Sequence, residues 1–316
     1  MLLMRMPATF SPGAVLAILA ALCWGIATVM SKSLLDSFSP VFLLVVQLIA
    51  SVVLLWAFIL IRQCSVARPT LTTPALADVA KFASLGLLEP GLAYLLSLTG
   101  LAETDASSAT LIQATEAIMI IIVSALLFRE RPTIQFILWS VMAVGGLFIA
   151  LGVFSGNDGD SRSFVGDALI FAGTMAAALY VVLSSRFATR IDPVYIVAWQ
   201  QTVALGFALL LLPVEWSLHP EIQATAIATI PLGIWLLAAI SGIVQYALAF
   251  SLYISALRTI SANYAGSFLN LIPLFGLAGA FVFLHEKLSL LQLTGAAITV
   301  IAVTYINLRE QQHGVE

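Results

Sequence analysis

Apolar residues run in long blocks along this chain, and polar residues gather between the blocks. Boundaries set by charge, Pro or Gly predict helices at about 12–31, 40–61, 79–99, 106–128, 132–153, 165–185, 193–212, 231–256, 261–284 and 289–308. Pro12, Pro40, Pro132, Pro193 and Pro231 stand at helix starts, where a missing N–H costs nothing. A helix needs ~20 apolar residues to cross a bilayer, so the pattern predicts ten spans joined by short loops. The first block is read as a span rather than a cleaved leader. It has no obvious small-residue cleavage site, and its core continues through Trp24–Met30.

Composition narrows the class. Apolar residues make up 61% of the 316 and charged residues 9%, with a mean hydropathy of +1.07. Soluble domains run at ~45–50% apolar and ~25% charged. A soluble enzyme, a disordered chain and a nucleic-acid partner are therefore excluded. What remains is an all-α polytopic membrane protein, because helices satisfy their own backbone polar groups in lipid. Two cysteines, Cys23 and Cys64, cannot build a disulfide framework.

Charge adds an orientation. With the N-terminus inside, alternation puts Arg5, Arg62, Arg68, Lys81, Arg129, Arg131, Arg186, Arg190, Arg258 and Arg309 on the inner side. Only Lys32, Arg162 and Lys287 fall outside. This bias predicts cytoplasmic termini in a multi-pass protein, with size and loop economy suited to a bacterial inner membrane. An error in one helix would reverse every later loop, so the sorting also supports ten spans.

The polar loop Ser155–Phe164 divides the chain into two units, 1–155 and 156–316. Pro40, Val41 and Gln47 recur 153 residues later as Pro193, Val194 and Gln200. Leu101, Ala106, Ala109 and Glu130 recur 156 residues later as Leu257, Ala262, Ala265 and Glu286. The clusters Arg129-Glu130-Arg131 and His285-Glu286-Lys287 each close the fourth span of a half. Five spans per half is odd, so the halves are expected as inverted repeats, a transporter arrangement with its site near the midplane.

The run LAALCWGIATVMSKSLLDSFSP at 19–40 resembles the opening helix of the drug/metabolite transporter superfamily, EamA type. So do GDALIFAGTMAAALYVVLSSRF at 166–187 and the paired endings LLFRERP and VFLHEKLS. The resemblance covers nearly the whole chain as two EamA-like units. It implies a secondary transporter of small metabolites, often an exporter of amino acids or related compounds. Related phosphate carriers use lysines deep in their spans. Here Lys81 alone lies within a span, near one end, which disfavours a phosphorylated substrate.

Glu89 and Glu116 are the leading candidates for chemistry. Each stands about ten residues into its span, near the midplane at ~1.5 Å per residue. An ionised side chain there carries a penalty of at least ~2.5–3.5 kcal/mol, so it should face a cavity or a partner. A carboxyl group so placed can carry a coupling proton or, ionised, hold a substrate ammonium group. Gln113 precedes Glu116 by one turn and is expected on its face, with Ala109 and Ile120 extending the stripe.

In the second half, Asn263, Ser267 and Asn270 fall on one helical face. Pro273 is expected to free the carbonyl of Leu269, and Pro90 that of Gly86. Freed carbonyls would suit sodium rather than a proton. Gln245 is the repeat counterpart of Glu89, and Tyr246 and Tyr253 lie seven apart on one face. Trp24, Tyr246 and Tyr264 are expected deep in the bundle as apolar walls or cation–π surfaces, and Tyr94 and Tyr180 add polar-tipped rings. Gln47 and Gln200 occupy equivalent positions, which suggests a shared fold role or two halves of one site; Gln200 and Gln201 read as fold residues. Gly145, Gly146 and Ala150, and Gly276, Gly279 and Ala280, form small faces for packing within the fold or in a homodimer.

The expected protein is a proton-coupled secondary transporter exporting small amino-acid-like metabolites by alternating access, with no cofactor. Its partners are a small-molecule substrate, a proton or sodium, and the lipid bilayer. Efflux of lipophilic organic cations is the alternative. An intramembrane enzyme is disfavoured: His219, His285 and His313 lie in loops or the tail, and no Gly-x-Ser-x-Gly or Walker-type loop occurs.

Overall fold

The computed structural model describes residues 11–35, 37–65, 76–103, 112–129, 132–150, 164–218, 230–276, 278 and 289–313. Each of the ten predicted segments holds helix there. In chain order these are α1 (Pro12–Leu34), α2 (Pro40–Ser65), α3 (Leu76–Ala83), α4 (Ala93–Glu103), α5 (Glu116–Phe128) and α6 (Ile134–Ala150). The second half supplies α7 (Phe164–Ala188), α8 (Pro193–Leu218), α9 (Leu232–Gly242), α10 (Ala249–Ala256), α11 (Ala262–Ser267) and α12 (Leu290–His313). Helices α3 and α4 are two parts of the third segment, and α9 and α10 of the eighth. Among the described residues no strand occurs, and six helical stretches are long and apolar enough to cross a membrane.

The surface has the polarity expected in lipid. Leu126 is 76% exposed and Leu210 76%, while Gln47 is 3% exposed and Gln200 and Gln201 1% each. Water would reverse that sorting; hydrocarbon favours it.

Close approach decides the packing. A methyl group at Gly86 would collide with the backbone of Gln200 on α8, and one at Gly242 with the backbone of Gln47 on α2. A methyl at Gly13 on α1 would meet the loop after α10, at Thr259 and Ile260, and one at Gly100 on α4 would meet Gly166 and Ile170 on α7. The first two contacts are reciprocal: Gly86 and Gly242 are offset by 156 and Gln47 and Gln200 by 153, the spacings between recurring residues in the sequence. Helices α6 and α12 form a further pair at Gly146 and Gly295. There Thr299 Oγ1 donates to the Ala143 carbonyl at 3.1 Å, and Trp139 stacks on Tyr305 with centroids 4.0 Å apart. Gly145 and Gly276, expected in small packing faces, have no described residue within 4 Å where a side chain would go. Gly279, Ala280, Ala106, Ala109, Glu130, Arg131 and the His285-Glu286-Lys287 cluster lie outside the described residues, as does most of the dividing loop.

Helices α2 and α8 are tied at both ends. At one end the Glu215 carboxylate accepts from Ser39 Oγ at 2.6 Å and from the Val41 N–H at 2.9 Å, capping the start of α2. At the other, Asp192 accepts from the Val194 N–H at 3.0 Å, capping α8, and pairs with Arg62 at 2.9 Å. Helix α5 closes on Arg129 in a left-handed conformation, φ 55°, and the Arg186 guanidinium lies 3.5 Å over the Phe128 ring.

Overpacked cores lose ~1–3 kcal/mol, more than the ~0.5–1 kcal/mol a helical Gly→Ala gains. Gly86→Ala and Gly242→Ala should therefore lower the thermal midpoint in detergent. Gly145→Ala, with open space around it, should leave the midpoint level or raise it slightly.

Candidate functional site

The third segment breaks where Pro90 requires it. Proline crowds the residue before it out of the α region. Glu89 accordingly adopts an extended conformation, φ −147° and ψ 130°, with a cis bond to Pro90. A 3-10 turn (Ser84–Leu87) leads into the break and a wide turn (Leu88–Leu92) leads out. The carbonyl of Gly86 faces Gly91, where an added methyl would come within 2.9 Å of it.

Glu116 also lies at a break. Thr115 forms a turn, its N–H reaching the Ile112 carbonyl at 3.0 Å and its hydroxyl the same carbonyl at 2.6 Å. The regular helix begins with Glu116, whose carboxylate thus sits in the first turn, where the helix dipole favours negative charge. The expected stripe of Gln113, Glu116 and Ile120 is not realised. Gln113 precedes the break and is exposed, whereas Ile120 is fully buried against Gly266 of α11.

The two carboxyl groups come within range of each other's charge. Tyr94, Tyr180, Tyr246 and Tyr253 all lie within range of the charge of Glu89, and Tyr94 and Tyr253 within range of that of Glu116. Neither glutamate makes an ion pair among the described residues. Both are half-buried, so each keeps surface open at this depth.

An aromatic wall runs alongside. Tyr94 and Tyr246 have centroids 5.4 Å apart, Tyr180 and Phe250 5.8 Å, Trp24 and Phe250 5.1 Å, and Trp24 and Tyr253 5.4 Å. Trp24 and Tyr246 are both buried in this wall. Phe250 was missed, although Tyr246, Phe250 and Tyr253 follow the i, i+4, i+7 pattern of one helix face. Tyr264 does not join them. It is buried in a separate cluster with Phe268, Ala14, Ala17 and Ala302, its ring 5.2 Å from Phe268.

Gln245 accepts from Ser31 Oγ at 3.0 Å and shares a side-chain hydrogen bond with Tyr94. Asn263, Ser267 and Asn270 are buried on the segment packed against α5. Ser267 Oγ donates to the Tyr264 carbonyl at 2.7 Å, and Asn270 Nδ2 to the Ser267 carbonyl at 3.2 Å. The Leu269 carbonyl is not left free before Pro273. A 3-10 turn (Phe268–Leu271) replaces the lost bond, and the Ile272 N–H occupies that carbonyl.

A wide turn (Ile243–Leu248) lies opposite the break at Glu89, and no proline causes it. Gln201 Nε2 takes up the Tyr246 carbonyl there at 2.7 Å, and Gln201 accepts from Ser51 Oγ. Gln47 Nε2 donates to Ser31 Oγ at 2.9 Å and Ser241 Oγ at 2.8 Å. Gln200 accepts from Tyr180 Oη at 2.9 Å and donates to Ser184 Oγ at 3.2 Å. The glutamines thus brace the helices that carry the site.

The profile of the EamA-like transporter family matches residues 11–152 and again residues 164–308. The chain belongs to the EamA-like transporter family. An uncharacterized transporter of Methanothermobacter thermautotrophicus is 29% identical over 65% of this chain and 58% of its own length. The match thus spans less than two thirds of that relative. An uncharacterized transporter of Synechocystis is 26% identical over 91% of this chain and 87% of its own. A WAT1-related chloroplastic protein of Arabidopsis thaliana is 24% identical over 91% and 67%. A solved structure with 18% identity covers 93% of this chain and 98% of its own, with a TM-score of 0.76, and shares the fold. The chain is thus a multi-pass membrane protein of a transporter family.

Removing a buried donor leaves its acceptor unpaired at a cost of ~1–3 kcal/mol. Gln201→Leu should therefore lower stability by about that amount, because the Tyr246 carbonyl loses its cap. Thermal unfolding in detergent reads the loss; an unchanged midpoint would mean that the wide turn supports itself.

Proposed function

We propose that this EamA-like transporter is a proton-coupled exporter of small amine-bearing metabolites such as amino acids. The observation that carries the reading is the meeting of Glu89 and Glu116 at two helix breaks, deep among tyrosines and without an ion pair among the described residues. An uncompensated carboxyl pair at membrane depth has two uses in a transporter. Protonated, the groups travel neutral; ionised, they hold an ammonium group. Protons are favoured over sodium because the Leu269 carbonyl, a candidate sodium ligand, is engaged by Ile272.

Alternating access follows from reading the chain as ten spans in two inverted five-helix repeats, 1–155 and 156–316. The doubled family match and the reciprocal contacts Gly86–Gln200 and Gly242–Gln47 support it. In this reading the substrate meets the protein between the repeats near the midplane. Both termini face the cytoplasm across a bacterial inner membrane, as the ten-to-three distribution of basic residues favours. Efflux of lipophilic organic cations is the second reading, favoured by the aromatic wall beside the two acids.

Proteoliposomes with an imposed pH gradient test the proposal, with a panel of amino acids and organic cations and gradient-free counterflow as the control. Glu116→Gln should abolish gradient-driven accumulation, a loss of tenfold or more, while retaining counterflow; Glu89→Gln should weaken the response to the gradient. Equal responses from wild type and both variants would defeat proton coupling through this pair.

A further inference from the structure

Two hydrogen-bond donors beside the carboxyl pair have no acceptor among the described residues. Trp24 Nε1 and Tyr253 Oη are both sealed from solvent and make no hydrogen bond. Trp24 is 9% exposed and Tyr253 1%, and their rings touch edge to face at 5.4 Å. Such atoms are rare in folded proteins, because each costs the desolvation of a polar group with nothing in return. Here two occur side by side, on helices α1 and α10. Tyr253 is within range of both Glu116 and Glu89. Trp199 Nε1 is also unpaired, but it lies in a separate aromatic group with Trp56 and Tyr195.

Donor chemistry defines the missing group. An indole N–H can only donate, and a phenol that donates alongside it needs the same kind of partner: an oxygen acceptor with several lone pairs. The geometry points to Trp24 Nε1 and Tyr253 Oη as a donor pair for the carboxylate of a zwitterionic substrate whose ammonium group is held by Glu89 and Glu116. This deepens the function proposed above and rests on it. It also separates the two substrate classes. A zwitterion satisfies donors and acids together, whereas a simple organic cation leaves the donors unpaired. Phe250, 5.1 Å from Trp24, and Tyr246 stand alongside as a wall for the apolar side chain of the substrate. Both donors are sealed in this conformation, so the substrate reaches them when α1 and α10 separate.

The test compares each amino acid with the amine formed by removing its carboxylate. The probes are phenylalanine with 2-phenylethylamine, and leucine with 3-methylbutylamine. Counterflow in proteoliposomes needs no gradient, so it reads the subsite independently of proton coupling. Wild type should prefer the acid of each pair. Tyr253→Phe removes one hydroxyl and Trp24→Phe one N–H while each keeps a ring. Either change should reduce the acid-to-amine preference about tenfold or more, the usual weight of a hydrogen bond to a charged group. A structural role would depress both members of a pair together and leave their ratio intact. The proposal is overturned if wild type takes up none of the four probes or prefers the amines, or if the ratio stands in both variants. A change in gradient response alone in Tyr253→Phe would instead make its hydroxyl a partner of Glu116, which also overturns the donor pair. Should Glu89→Gln and Glu116→Gln keep wild-type gradient response while the ratio shifts as expected, the coupling reading fails and the subsite stands.

Discussion

Lipid gives a helix surface no hydrogen-bonding partner, so every polar group in the span region must be answered from inside the bundle. Gln47 and Gln200 meet that constraint at the points where the backbones come closest. Each glutamine lies under a glycine of a crossing helix, Gly242 or Gly86, and turns its amide to serines. The glycines permit the approach and the amides make it specific. Apolar packing alone would allow these helices to slide, because lipid tails are as apolar as leucine. A buried amide with named partners fixes their register, and the site depends on that register.

The breaks acquire their meaning from the same constraint. A helix that stops inside a membrane exposes backbone groups, and each must be capped. At Ile243–Leu248 the cap is Gln201, and before Pro273 it is a 3-10 turn. At Glu89 the backbone leaves helical geometry altogether, beside a second acid that begins a helix. One region is thus repaired with neutral groups, and the other is left with carboxyl groups. That difference, rather than the depth of any one residue, is what supports the role proposed for the acid pair.

Much of this was legible in the sequence because it follows from local rules. Apolar block length located the helices, and prolines at block starts set their ends to within a few residues. Pro90 announced the break at Glu89, since its effect on the preceding residue needs no tertiary partner. What was hidden depends on neighbours. The wide turn at Ile243–Leu248 contains no proline or glycine, and its stability comes from Gln201 on another helix. Gln113 was expected beside Glu116 because spacing assumes a continuous helix, and Thr115 interrupts it. Tyr264 has the same composition signal as Tyr246, yet it packs with Phe268 and the alanines of α1. Only three-dimensional packing separates those two tyrosines.

The ends of the α2–α8 pair show how related positions diverge without losing their function. Ser39 and Asp192 are equivalent at an offset of 153, and so are Arg62 and Glu215. Both arrangements cap a helix start and tie it to the far end of its neighbour. Where the cap residue is Ser39, a neutral donor, the neighbour supplies a carboxylate that also takes the Val41 N–H. Where the cap residue is Asp192, already an acceptor for Val194, the neighbour must supply a donor, and Arg62 does. A carboxylate at both equivalent positions would set Asp192 against a second negative charge and leave it unanswered. The chemistry at each end is therefore constrained as a pair: changing either member requires the other to change sign or role. The same logic applies to Glu89 and its counterpart Gln245. Gln245 is a neutral amide bonded to Ser31 and Tyr94, so the wide turn that carries it holds no charge to compensate. Glu89 has no such fixed answer among the described residues, and there the backbone leaves helical geometry.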